Sequence, residues 1–120
     1  MTDRITAFFE ELRERTHEPL LAQAEGTIRF ELDDGERIER WIVSIDRGDV
    51  DVSHRNVSGD ARVRVPRDTF ERLVTGEANA MAAILRGEIA GAGDVELLLR
   101  FQRLFPGPPG SGRAAGGDDR

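Results

Sequence analysis

The sequence contains no cysteine. Disulfides, thiol nucleophiles, cysteine-ligated zinc and iron–sulfur clusters are therefore excluded. Lysine is absent too, since all 17 basic side chains are arginine. That removes Schiff-base chemistry and the lysine of a phosphate-binding loop. Long apolar runs are also missing. Outside the C-terminal segment the longest uncharged stretch is Ala78–Leu85, far short of a membrane span. The first residues carry Asp3, Glu10 and Glu11 and lack the unbroken apolar core of a signal peptide. The expected location is cytoplasmic. With 23 acidic side chains the formal net charge is -6, so nucleic acid is not an expected partner.

What is present suits one domain. The chain has 120 residues, 38% of them hydrophobic, enough to close around a single core. The segment from Pro106 to Arg120 reads PGPPGSGRAAGGDDR and shows no apolar periodicity. It is expected to be a disordered tail on a domain spanning residues 1–105.

Periodicity supplies the elements. Ile5, Phe8, Phe9 and Leu12 share a helical face within Asp3–Thr16. Leu20, Leu21 and Ala24 suggest a short continuation after Pro19, closed by Gly26. Ile28, Phe30 and Leu32 then alternate with Thr27, Arg29 and Glu31, the pattern of a half-buried strand. Asp33-Asp34-Gly35 turns the chain into a second strand over Ile38–Asp46, and Arg47-Gly48 into a third carrying Val50 and Val52. A loop near His54–Gly59 precedes a fourth strand with Ala61, Val63 and Val65. The first three strands predict an antiparallel meander. Asp68-x-x-Glu71 reads as a capping box for a helix through Phe70, Leu73 and Val74 that ends at Gly76. A short helix with Met81, Ile84 and Leu85 stops at Gly87, and Gly87–Gly93 reads as a last strand. Asp94 caps a final helix whose inward face is Leu97, Leu98, Phe101 and Phe105.

Catalytic and metal signatures are weak. His17 and His54 fall in loops or helix ends, and Ser44, Ser53 and Ser58 lack a nucleophile elbow. Asp46, Asp49 and Asp51, and the Asp33-Asp34-Gly35-Glu36 turn, do not have calcium-loop spacing and read as solvated turns. Gly91-Ala-Gly93-Asp-Val-Glu96 opens a helix like a phosphate loop. However, Asp94 and Glu96 place negative charge where phosphate would sit, so nucleotide binding is rejected. Arg29, Arg62 and Arg64 read as a solvent-facing sheet surface, not an anion site. The large side chains are apolar and converge: Phe8, Phe9, Phe30, Trp41, Phe70, Met81, Leu98, Phe101 and Phe105.

The order of signals carries a resemblance. Gly26-x-Ile-x-Phe-x-Leu leads through a hairpin to Trp41-x-Val, then to Val50-x-Val and Ala61-x-Val-x-Val. A helix ending at Gly76, then Gly87-x-Ile89, Gly93-Asp94 and a Leu-rich helix ending Leu104-Phe105 complete it. Over residues 3–105 this resembles the sterol carrier protein 2 family. The resemblance implies an α+β fold: a five-stranded mixed, mostly antiparallel sheet with helices covering one face and an apolar tunnel between. It implies non-covalent binding, with transfer, of an apolar lipid: fatty acid, fatty acyl-CoA, sterol-like or isoprenoid. It implies no catalysis by the domain, no cofactor and no metal. Transient contact with a membrane or an enzyme is a further expectation. Two departures stand out. Ala90-Gly91-Ala92-Gly93 is unusually rich in glycine, and Asp118-Asp119-Arg120 is not a peroxisomal address. The arginine-only, Ala/Gly-rich composition suggests a stand-alone bacterial member, which favours a lipid other than a sterol.

The lipid site is expected along the inward strand faces and the last two helices: Trp41, Val43, Phe70, Met81, Ile84, Leu85, Leu98, Phe101 and Phe105. Gln102 is singled out because a neutral amide meets a head group at modest desolvation cost. An empty tunnel of roughly 400 Å³ would cost about 10 kcal/mol, so a mobile or lipid-filled form is expected. The last helix is expected to serve as its lid. The alternative is a non-catalytic accessory module with a closed core that docks a lipid- or quinone-metabolism enzyme.

Overall fold

The computed structural model describes residues 3–106, and the expected tail from residue 107 onward lies outside them. Helix α1 (Arg4–Arg15) starts at Asp3, whose carboxylate accepts a hydrogen bond from the Thr6 N–H. It ends where Thr16 turns left-handed at φ 59°. A single 3₁₀ turn (Pro19–Leu21) leads into strand β1 (Glu25–Asp33). Strands β2 (Ile38–Asp46) and β3 (Asp49–Ser53) complete the meander. Strand β4 (Ala61–Pro66), helix α2 (Arg67–Thr75), helix α3 (Ala80–Leu85), strand β5 (Ala90–Gly93) and helix α4 (Val95–Phe101) follow. A 3₁₀ turn (Gln102–Leu104) extends α4.

The sheet order is β3-β2-β1-β4-β5. All neighbours are antiparallel except β1 and β4, which run parallel. This is the expected mixed α+β fold. The helices cover one face, with α1 over β3 and α2, and α4 over β1, β4 and β5. The opposite face is partly closed by the connection between β3 and β4. Arg29 pins that connection by donating to the Asn56 side chain at 2.9 Å and the Val57 carbonyl at 2.8 Å. Ile42, in register with Arg29 on this face, is fully buried. Arg29 also pairs with Glu31 at 2.8 Å. Its guanidinium is thus consumed by the fold, in keeping with a structural role and not an anion patch.

Three local expectations need correction. Asp68 does not cap α2; the helix begins at Arg67 directly after Pro66, and Asp68 lies in its first turn. Pro66 occupies the N-cap position, and no side chain accepts a bond from the first turn. Gly26 does not end the first helical segment but lies within β1, where a Cβ would come within 2.8 Å of Leu97 on α4. It is a close-approach glycine between sheet and helix. Finally, β5 begins at Ala90 and not at Gly87, because Gly87 at φ 80° is still closing α3.

Candidate functional site

The inner face of the sheet is graded in size. One row across it runs Trp41, Phe30, Val63, Gly91 through β2, β1, β4 and β5. The next row runs Val43, Ile28, Ala61, Gly93 through the same strands. Large side chains fill the β2 side, and almost nothing rises from β5. A helix laid across such a face touches the sheet on one side and stands clear of it on the other.

On the β2 side the interior is solid. Phe9 stacks on Trp41 with ring centroids 4.4 Å apart and on Phe70 at 5.6 Å. Trp41 donates its indole N–H to Glu39 at 2.6 Å, and Glu39 also receives Arg67 at 2.9 Å. Arg67 reaches Asp3 at 2.6 Å, tying α1, α2 and β2 together. Asp3 is held below its ordinary range first by the Thr6 N–H and then by Arg67.

On the β4–β5 side a cavity of about 210 Å³ lies between the sheet and the α3–α4 pair. Four phenyl rings wall it: Phe30, Phe70, Phe101 and Phe105. Val63, Val65 and Gly91 form its floor, and Ile84, Val95, Leu98 and Leu99 its helical side. Gln102 contributes the one amide of the lining. Among the described residues its side chain has no hydrogen-bond partner.

Of the residues singled out from sequence, the fold brings Phe70, Ile84, Leu98, Phe101, Gln102 and Phe105 to this cavity. Trp41 and Val43 do not reach it: both are buried, with Trp41 in the stack against Phe9. Met81 and Leu85 face outward, Leu85 being 80% exposed. Sequence reasoning does not point to the other lining residues as a site: Phe30, the floor residues Val63, Val65 and Gly91, and Leu73, Ala80, Ile89, Val95 and Leu99. Alternation could have proposed Val63 and Val65, since they share the inward face of β4. The glycine-rich run Ala90–Gly93 stands out in the sequence, but its spacing does not show that Gly91 falls opposite Val63 in the cavity lining.

The rim is apolar as well. Val95 is 61% exposed, and Ile84 and Leu99 are partly so. The polar candidates resolve into structure. His17 bonds Asp49 at 2.8 Å, and His54 lies against Trp41 and the Arg40 carbonyl. Asp33 and Asp34 accept from the backbone of their own turn, which lowers both carboxyls. The open groove beside that turn is polar and solvent-facing, with Arg64 paired to Asp33 at 3.2 Å. Among the described residues no group of three or more His, Asp or Glu is placed to hold a metal, and no helix is long and apolar enough to cross a membrane.

Fold and site together define an α+β domain with an apolar cavity between a graded sheet and its helical cover. The chain belongs to the SCP-2 sterol transfer family, whose model matches residues 5–106. No curated protein matches the sequence with significance. Solved structures do share the fold. The sterol carrier protein domain 2 of Helicoverpa armigera superposes with a TM-score of 0.70 at 18% identity, over 98% of this chain and 93% of that one. Sterol carrier protein 2 of Aedes aegypti, in complex with the C16 fatty acid palmitate, gives 0.66 at 19% identity, over 86% and 94%. The sec-alkylsulfatase Pisa1 from Pseudomonas contains a similar unit. There the TM-score is 0.65 at 19% identity, over 82% of this chain but 16% of the sulfatase.

Proposed function

We propose that the protein binds the apolar chain of a lipid non-covalently in the β4–β5 cavity and carries it without chemical change. The observation that carries this reading is the cavity itself: an apolar space between sheet and helices, open at one rim, walled by four phenyl rings and lined by one amide that has no side-chain partner among the described residues. Apolar walls favour a hydrocarbon by the hydrophobic effect and discriminate poorly among hydrocarbons. Discrimination falls to the head group. Gln102 offers both a donor and an acceptor to a hydroxyl, carbonyl or carboxyl. The palmitate held by the similar Aedes aegypti protein supports a fatty acid as the first ligand to test.

The volume constrains the ligand. A dry cavity of about 150 Å³ takes up benzene, so 210 Å³ houses about eight carbons on the same scale. A longer chain extends past the open apolar rim at Ile84, Val95 and Leu99 or displaces the cover. Helix α3 is one and a half turns long, and α4 ends in a 3₁₀ turn with no buried residue. Such short elements open at low cost. No group in the lining can serve as nucleophile or general base, which supports a carrier role over catalysis. The competing reading, an accessory module docking a lipid- or quinone-metabolism enzyme, draws on the exposed Leu85 and Val95 beside the cavity.

Thermal unfolding with and without palmitate decides between them, together with mass spectrometry of an organic extract of the purified protein. A ligand bound only by the folded state raises Tm in proportion to ln(1 + [L]/Kd). A rise in Tm, or co-purified lipid, is expected. An unchanged Tm and a lipid-free extract would leave the accessory-module reading.

A further inference from the structure

Resting on the lipid-carrier reading, we infer that Gly91 is the residue that sets the length of chain the cavity accepts. Three observations converge on it. First, Gly91 closes the graded row, opposite Val63 in the β4–β5 ladder, and lines the cavity floor. Second, its glycine is not demanded by backbone conformation. Gly93, two residues on, sits at φ 90°, and a Cβ there would fall 2.4 Å from the Asp60 carbonyl oxygen. Gly91 is not among the residues with positive φ. Third, its glycine is not demanded by tight backbone packing. A Cβ at this position would meet one atom within 4 Å, the Leu98 Cδ1 at 3.1 Å. Leu98 is itself a cavity-lining side chain, and its methyl tip borders free space into which it can turn.

An edge strand in ordinary conformation would be better served by a β-branched residue, which loses less entropy and covers more of the core. At Gly91 the side chain that strand stability would favour is absent, and the space it would fill is the cavity. The floor is therefore left open at the edge of the row, where a side chain would extend beside Leu98 into the site. Gly93 is glycine for the turn, and Gly91 is glycine for the ligand.

The test is the dependence of affinity on chain length. Straight-chain fatty acids from six to sixteen carbons are titrated against the full chain, reading displacement of a fluorescent fatty acid. Gly91→Val adds the three side-chain carbons of valine to the floor. The expected result is a shift of the preferred length towards shorter acids by about three carbons. The longest acids should lose affinity tenfold or more, and the shortest should change within about twofold. Gly91→Ala should shift the profile in the same direction by about one carbon, and it decides the matter if the valine variant does not fold. An unchanged profile, or a uniform loss at every length, overturns the role of Gly91 while leaving lipid binding intact. Wild-type protein that binds none of these acids overturns the carrier reading, and the role of Gly91 with it.

Discussion

The two sides of this small core are built to opposite ends. On the β2 side, Phe9 stacks face to face on Trp41 and on Phe70, with centroid spacings of 4.4 and 5.6 Å. On the β4–β5 side, four phenyl rings and several leucines surround about 210 Å³ of free space. The residue types are alike. The difference lies in what the sheet presents beneath them, tryptophan and phenylalanine at one end and valine and glycine at the other. A cavity in a protein of this size thus needs no special lining, only a local shortage of side-chain volume under a cover held up elsewhere. The solid side does the holding. Its stack joins α1, α2 and the sheet, and the Asp3–Arg67–Glu39–Trp41 chain of bonds fastens the same elements at their ends.

Breaking the solid side should have the largest effect. Phe9→Ala removes a fully buried ring that touches Trp41, Phe30 and Phe70, with an expected loss of about 3–5 kcal/mol in urea unfolding. Phe105→Ala, on the cavity wall, should cost under about 2 kcal/mol, because a half-buried ring beside free space loses fewer neighbours. Equal losses would erase the distinction between the two sides.

Hydrogen exchange sharpens the same comparison. Amides of α4 should exchange about a hundredfold faster than those of β1 and β2, an opening difference of about 2.7 kcal/mol. Palmitate should slow α4 selectively. If α4 and the central strands are equally protected in both states, α4 is not the moving cover.

The cavity's one amide comes next. Gln102→Leu should leave Tm nearly unchanged but reduce the preference for a fatty acid over its parent alkane about tenfold, or about 1.4 kcal/mol. The same preference ratio in both proteins would remove Gln102 from head-group recognition.

The smallest effect belongs to the fastening of the solid side. Asp3→Ala deletes the α1 cap and the Arg67 pair, with an expected cost of about 1 kcal/mol. It should also change the acid limb. The Asp3 carboxyl is lowered in the folded state, so its contribution is present above the ordinary value of 3.8 and is lost as pH falls through the lower folded value. Wild-type protein should therefore lose this increment only in strong acid, whereas the variant should lack it at neutral pH. Identical pH–stability curves would show that the cap contributes nothing.

The elements are largely legible in the sequence. Alternation in Ile28, Phe30 and Leu32 specified β1 and its buried face, and all three are buried. The cap at Asp94 was read correctly, and the Leu97 N–H bonds it at 3.1 Å. Boundaries set by glycine were less legible. Gly26 looked like a helix stop because glycine often is one, yet it serves the approach of Leu97 from a helix about seventy positions later. Helical periodicity shows which side of α4 and its extension faces in, and Leu98, Phe101, Gln102 and Phe105 line the cavity. Trp41 and Val43 were placed in the site because they are inward and large, whereas the structure packs them solid. Met81 and Leu85 lie outside the cavity lining, and α3 has fewer than two turns, too short for periodicity to define a face.

From its sequence alone this chain determines which residues are strands, which are helices and which faces are oily, because those patterns depend on neighbours a few positions apart. The tertiary structure decides where the oil is missing. That depends on which side chains fall into one row across four strands, and strand register is a property of pairing between distant segments. Only when Trp41, Phe30, Val63 and Gly91 line up does their descending size become a cavity.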